Sequence, residues 1–305
     1  MSLKLTILGC HSATPRVNAH PTAQILKIKN HTILIDCGEG MQVQLRRYKI
    51  SFSKIKHIFI SHLHGDHYFG LIGLISTFGL LNREKELHIY APEGLQDIIE
   101  LQMNLSQSRA NFPLIFHVLN GTASELIFED KNISIKTIPL THRVYTNGFL
   151  FKEKLALRKL DIEAVSKFPE IETCDYHNLK KGKDFIKKDG ILIPNNKLTF
   201  APPKPLSYAF CSDTSYKPNI VKIIKNVDLL YHESTFLSDR KDLAIKTGHS
   251  TAKQAGEIAL MANAKLLILG HFSNRYRNLK AFQLESQEIF ENTLLAVEGK
   301  TFEIG

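Results

Sequence analysis

The chain has 305 residues, 43% hydrophobic and 23% charged, the balance of a water-soluble folded protein with enough length for a full core; a disordered or fibrous chain is excluded. Thirty-nine lysines and arginines against 30 acids give a formal charge of +9, which favours a polyanionic partner without identifying one. No apolar run approaches the roughly 20 residues of a membrane helix, and the scattered Cys10, Cys37, Cys174 and Cys211 suggest buried thiols in a reducing compartment and no zinc ribbon.

Residues 3–8 read as a first strand, because the start lacks the basic region, long apolar stretch and small-residue cleavage site of a secretion signal. A cytoplasmic location is the expectation. Branched apolar runs predict further strands at 23–28 and 32–37, then a helix over 40–48, a strand at 57–61 and a helix over 65–79. A strand at 87–90, a helix over 95–107 and a strand at 133–138 follow. The stretch 152–205 breaks this rhythm: it is highly charged, carries Lys180, Lys181, Lys183, Lys187 and Lys188, and reads as an insertion projecting from the core. Strands then recur at 208–212, 228–232 and 266–270, with helices over 252–262 and 281–293. Paired strands followed by strand–helix alternation predict an α/β fold, two sheets covered outside by helices in an αβ/βα sandwich, as one domain over 1–305.

Residues 62–67 read His-Leu-His-Gly-Asp-His directly behind the apolar run 57–61. In extended chain His62 and His64 share a side, while Asp66 and His67 open the next helix and can face a second site. Imidazole and carboxylate suit zinc and similar ions, and mixed sets that keep an open position are usually catalytic. His142, Asp213, His232 and His271 each lie at or just after a predicted strand end, where sites in mixed sheets collect. A chemically sensible division gives one cation His62, His64 and His142 and the other Asp66, His67 and His271. Asp213 bridges them, since two carboxylate oxygens can hold cations roughly 3.5–4 Å apart. The expected cofactor is two Zn2+ per subunit, with Mn2+ or Fe2+ as alternatives. Such a pair makes water nucleophilic near neutral pH without a serine or cysteine, and Asp66 can orient that water and take its proton. Structural zinc, by contrast, is usually closed and thiolate-rich, which disfavours a non-catalytic RNA-binding module held together by metal.

The hexapeptide His62-Leu63-His64-Gly65-Asp66-His67, with His142, Asp213 and His271 in order, resembles the metallo-β-lactamase fold and, more narrowly, the ribonuclease Z family. His232-Glu233-Ser234-Thr235-Phe236 is similar to that family's His-Glu-Ala-Thr loop, with serine for alanine, and Gly248-His249-Ser250-Thr251 to its His-Ser-Thr loop. Residues 271–276 look like its final motif, and Pro15-Arg16-Val17-Asn18 like the loop that meets the RNA end. The resemblance implies a four-layer sandwich of metallo-β-lactamase type and a zinc-dependent endoribonuclease that removes the 3′ trailer from precursor tRNA, leaving a 3′-hydroxyl on the tRNA and a 5′-phosphate on the trailer. It implies that His249, oriented by Glu233, protonates the leaving oxygen, and that His232 supports the site without ligating. Ser250 also reads as an N-cap for the helix that follows. Arg16 and Arg275 are expected to meet RNA near the cut. The insertion stands where the family carries a tRNA-gripping arm, whose Lys180, Lys181, Lys183, Lys187 and Lys188 would contact phosphates without reading bases. A homodimer, one subunit's arm gripping the tRNA cut by the other, is also implied, with no membrane partner. The alternative is a metal-dependent phosphodiesterase of the same fold acting on a small substrate, which Asp213 alone does not distinguish from an RNA hydrolase.

Overall fold

The computed structural model describes residues 2–305, which divide into two compact units. The larger comprises the chain up to Glu129, Ile133–Lys152 and Leu206–Gly305; the smaller comprises Asp130–Asn132 and Glu153–Pro205. The strands before the smaller unit are β1 (Leu3–Gly9), β2 (Ala23–Ile28), β3 (His31–Ile35), β4 (Ile55–Phe59), β5 (Leu87–Pro92), β6 (Leu114–Leu119), β7 (Leu126–Glu129), β8 (Ile133–Pro139) and β9 (Asn147–Glu153). Within the smaller unit lie β10 (Lys159–Leu160), β11 (Phe185–Ile186), β12 (Leu192–Ile193) and β13 (Thr199–Phe200). After it come β14 (Ser207–Cys211), β15 (Leu229–Glu233), β16 (Leu266–Gly270), β17 (Thr293–Leu295) and β18 (Thr301–Ile304).

In the larger unit two seven-stranded mixed sheets form, ordered β18-β1-β2-β3-β4-β5-β6 and β17-β16-β15-β14-β9-β8-β7. From β3 to β6 and from β14 to β17 the strands are parallel, and the inner ones, such as β15 and β16, are buried on both faces, which is why they read as apolar runs. Between the sheets Phe59 stacks on Tyr90 at 4.4 Å and meets Phe149 edge-on at 5.3 Å. Helices α1 (Met41–Arg47), α3 (Gly70–Leu80) and α4 (Leu95–Leu105) cover the outer face of the first sheet through Met41, Leu45, Leu74, Phe78 and Ile99. Helices α8 (Ala252–Met261) and α9 (Lys280–Gln287) cover the second through Ala255, Ile258 and Phe282. This is the four-layer α/β sandwich.

Three of the boundary differences from the sequence expectation have a clear structural cause. The helix predicted over 65–79 is broken into α2 (Gly65–Tyr68) and α3, because the Gly70 amide turns to donate to the Cys37 carbonyl at 2.9 Å and a Cβ there would overlap the Gly38 carbonyl. The helix expected to reach 293 stops at Gln287, so that Thr293 can pair with Leu267 and extend the parallel sheet. The strand after β2 ends at Ile35, where Asp36 turns to φ 54°.

In the smaller unit, α5 (Ile162–Val165), α6 (Tyr176–Lys180) and the pairs β10–β13 and β11–β12 enclose a core of Leu160, Val165, Ile171, Leu179 and Leu198. Buried Asn195 staples it, donating from Nδ2 to the carbonyls of Leu179 and Lys183, both at 2.8 Å. In the larger unit, α7 (Lys241–Thr247) precedes the loop that carries His249.

Candidate metal centre

Strand ends of both sheets deliver the polar residues to one place. His62 follows β4, His142 follows β8, Asp213 follows β14, Glu233 ends β15 and His271 follows β16. Ser61 ties the sheets together there: its Oγ lies 3.1 Å from Ser212 Oγ, and its carbonyl accepts from the Asn147 amide at 3.0 Å. His271 holds φ 61°, a strained conformation for a non-glycine residue, kept where the chain must turn its ring into the cluster.

One group of ligand atoms consists of His62, His64, His142 and Asp213, and a second of Asp66, His67 and His271. His62 Nε2 is 3.1 Å from His64 Nδ1, which is 3.2 Å from His142 Nε2. Asp66 Oδ2 is 3.3 Å from His67 Nε2 and 3.4 Å from His271 Nε2. Asp213 divides its oxygens between the two groups. Its Oδ2 lies 3.6 Å from His62 and 3.8 Å from His142; its Oδ1 lies 3.5 Å from His67 and 3.3 Å from His271.

Most of these rings are held from behind. His67 Nδ1 donates to Asp36 Oδ2 at 2.7 Å, His142 Nδ1 to the Gly248 carbonyl at 2.7 Å, and His62 Nδ1 to Ser61 Oγ at 3.0 Å. His271 Nδ1 donates to Thr235 Oγ1 at 2.9 Å, and the Thr235 hydroxyl in turn donates a hydrogen bond to Glu233 Oε2 at 2.8 Å. Occupying Nδ1 in this way leaves each Nε2 lone pair facing the cluster, the arrangement that orients metal-binding imidazoles. His64 alone turns Nδ1 inward.

Burial lowers the pKa of His62, His64 and His142, favouring the neutral form that can ligate. Burial would raise the carboxyls of Asp66 and Asp213, but His67 for the first and His271 for the second, with further imidazoles beside them, hold both well below the usual range. His67 shows the converse: burial opposes its charge, yet Asp66, Asp213 and Asp36 together raise it. Two buried atoms, His67 Nε2 and Asp213 Oδ1, have no hydrogen-bond partner and face one another in the cluster. Buried polar atoms left so are costly. Divalent cations would satisfy them, and the nitrogen and oxygen donors match that chemistry.

Glu233 is fully buried and accepts hydrogen bonds from the amides of Thr214, Thr235 and Ser250 as well as from His249 Nδ1 at 3.0 Å. Burial opposes charge on His249, but the Glu233 carboxylate more than offsets it and pushes its pKa up to about 9. His249 also falls within ligand distance of Asp213 and His271, although its Nδ1 is already taken by Glu233. Ser250 is not the N-cap it was expected to be. Its hydroxyl donates to the Thr214 carbonyl, while Thr251 caps α8 in a capping box with Gln254. His232 lies outside the metal groups, its Nδ1 donating to the Glu233 carbonyl at 2.7 Å.

Arg16 is exposed and lines a cavity of about 490 Å³ beside Asp66 and Phe69, with its Nη1 donating to the Tyr276 carbonyl at 3.4 Å. Arg275, also exposed, follows Asn274, whose amide clamps the Thr14 and Pro15 carbonyls. In the smaller unit Lys181, Lys183 and Lys188 are exposed, Lys180 is half-buried, and Lys187 is drawn to Glu170 and Asp189. Asp36, Ser61 and Thr235 are supports that sequence reading missed. Asp36 carried one usable signal, an acid directly after an apolar strand, the same context that singled out Asp213.

A family model described as anti-Pycsar protein Apyc1 matches residues 3–167. A relative named Ribonuclease Z from Cytophaga hutchinsonii is 46% identical over 304 residues, covering 99% of this chain and 96% of its own length. The crystal structure of human tRNase Z, short form, superposes with a TM-score of 0.73 at 28% identity, covering 99% of both chains. A metallo-β-lactamase fold protein, YhfI of Bacillus subtilis, aligns with a TM-score of 0.69 at 18% identity over 99% of each chain, a likeness of fold.

Proposed function

The chain belongs to the ribonuclease Z family, metal-dependent endoribonucleases, and residues 3–167 also to the family described as anti-Pycsar protein Apyc1; on this basis we propose that it removes the 3′ trailer from precursor tRNA using two zinc ions. The products would be a 3′-hydroxyl on the tRNA and a 5′-phosphate on the trailer. One observation carries the reading: Asp213 turns one oxygen to each of two histidine groups inside a single buried cluster.

His62, His64 and His142 would hold one cation and Asp66, His67 and His271 the other, with Asp213 shared. Bound there, divalent cations supply Lewis acidity toward the phosphoryl oxygens and make water nucleophilic near neutral pH. Asp66, kept ionised by its imidazole neighbours, would orient the attacking water and take its proton; transfer to so weak a base depends on the acidity that a bound cation would give that water. His249, with Nδ1 fixed by Glu233, offers the proton on Nε2 to the departing sugar oxygen, which leaves poorly without it. The lysines of the smaller unit contact tRNA phosphates, Arg16 and Arg275 meet RNA near the cut, and a homodimer lets one subunit grip what the other cleaves. No helix among the described residues is long and apolar enough to cross a membrane, and the four cysteines are free thiols, which fits a reducing cytoplasm.

Incubating the protein with a precursor tRNA bearing a trailer tests this. A single cut near the discriminator base is expected, and Asp66→Ala should reduce its rate at least about a hundredfold while RNA binding survives. Intact precursor in the presence of bound metal, with turnover of bis-p-nitrophenyl phosphate, would instead support a small-substrate phosphodiesterase.

A further inference from the structure

Positive charge that the catalytic centre does not use collects at the opposite end of the first sheet. Where β3 and β4 begin, an open cleft of about 1000 Å³ lies between the β2–β3 turn, the last turn of α1, the loop 50–56 and the end of α3. Lys27, Arg46, Lys54, Lys56 and Lys85 line it, all exposed, and Glu84 is the one acid on its walls. Among the described residues none of these five cations has a carboxylate within ion-pair distance. Arg83, also on the wall, is different: its guanidinium donates to the carbonyls of Ile55, Lys85 and Glu86 and lies over Phe78, so it builds the floor.

The backbone explains why the cleft is wet and charged. Lys27 and Lys56 each stand two residues from an isoleucine that faces the helical layer, Ile25 and Ile58, so their side chains point to the same outer side. Helix α1, seven residues or about 10 Å long, ends before it can cover them. Its first residues adjoin Glu39 and Gly40, which line the smaller cavity with Arg16 and Asp66, and its last turn places Arg46 in the cleft with exposed Arg47 next to it. Thus α1 runs from the edge of the metal centre to the cleft.

We propose that this cleft is a second RNA-backbone site, which holds consecutive phosphates of the precursor away from the scissile bond, with the RNA following α1 between the two. The proposal rests on the RNA-processing reading for the identity of its ligand. A lone phosphate or nucleotide fits less well, because α1 and α3 both turn their C-terminal ends toward the cleft, and the carbonyl ends of helices disfavour a desolvated anion. Lysines on flexible stems contacting a solvated, repeating phosphate chain avoid that cost, and they confer affinity without reading bases.

The test uses the full chain carrying Lys27→Ala, Lys54→Ala and Lys56→Ala together, with the three Lys→Arg changes as a charge-keeping control. Precursor cleavage and equilibrium binding of a labelled precursor are measured across a salt series. The expected result is a KM and a dissociation constant raised at least about tenfold at physiological ionic strength, with kcat and bis-p-nitrophenyl phosphate hydrolysis unchanged. The log–log salt slope of binding should become shallower by about 2, since each lost phosphate contact removes roughly 0.7–0.9. The arginine control should restore all three. Unmoved binding and slope would overturn the cleft, as would inorganic triphosphate binding that the alanine variant loses while its RNA binding stays intact. If the wild-type chain binds precursor without cutting it and the alanine variant loses that binding, the cleft stands and the catalytic reading falls.

Discussion

Asp36 sits just past β3 at φ 54°, where an L-residue is strained, and from there its carboxylate reaches both His67 and the amide and hydroxyl of Ser61. The histidines and aspartates facing the cluster were legible because their spacing and chemistry are unusual: six positions hold three imidazoles and an acid. The groups behind them were not. A hydroxyl such as Thr235 has no diagnostic spacing, and its partner His271 is 36 residues away, joined only by the parallel pairing of β15 with β16. Asp36→Asn keeps the shape but weakens control of the His67 tautomer. Its affinity for Zn2+ should fall about 10- to 100-fold in a competitive chelator titration, with the thermal unfolding of the metal-free protein little changed. Equal affinity in the two proteins would remove Asp36 from the site.

At the scale of elements, the parallel central strands were readable and the margins were not. β6, β7, β17 and β18 are the outermost strands of their sheets; β7, β17 and β18 are only three or four residues long, too short to stand out as a run, whereas β6 is apolar but only half-covered. β9 is central but opens with Asn147-Gly148, which reads as a turn; Gly148 is needed because the Phe210 carbonyl approaches closely. β4 carries a further consequence. His57 is 8% exposed, stacks on His88 at 5.1 Å and meets Phe128 edge-on at 4.8 Å. Burial first, then neighbouring imidazoles, push its pKa from 6.5 down to about 3. The unfolded chain therefore binds this proton before the folded one does. Stability from neutral His57 is complete above the unfolded value and is lost as pH falls from about 6.5 toward 3, by at most about 1.4 kcal/mol per pH unit. His57→Phe should flatten the fall of Tm across that interval relative to wild type. Parallel Tm–pH curves would contradict the assignment.

For the whole molecule, strand–helix alternation made the α/β sandwich legible, since each parallel crossover requires a covering helix. The net charge of +9 pointed toward a polyanion but not to where it lies. Charge counted along a chain does not show which lysines are neutralised: Lys187 faces Glu170 and Asp189, whereas Lys27 and Lys56, unremarkable in sequence, stand unpaired on one cleft. The central claim is that two cations, joined through Asp213, are what cut the RNA. The direct measurement is the number of metal ions per chain during stepwise chelation, read by elemental analysis alongside precursor cleavage. We predict two ions per wild-type chain, loss of cleavage as they are removed and its return when Zn2+ is added back. Full-rate cleavage by a metal-free chain would contradict it.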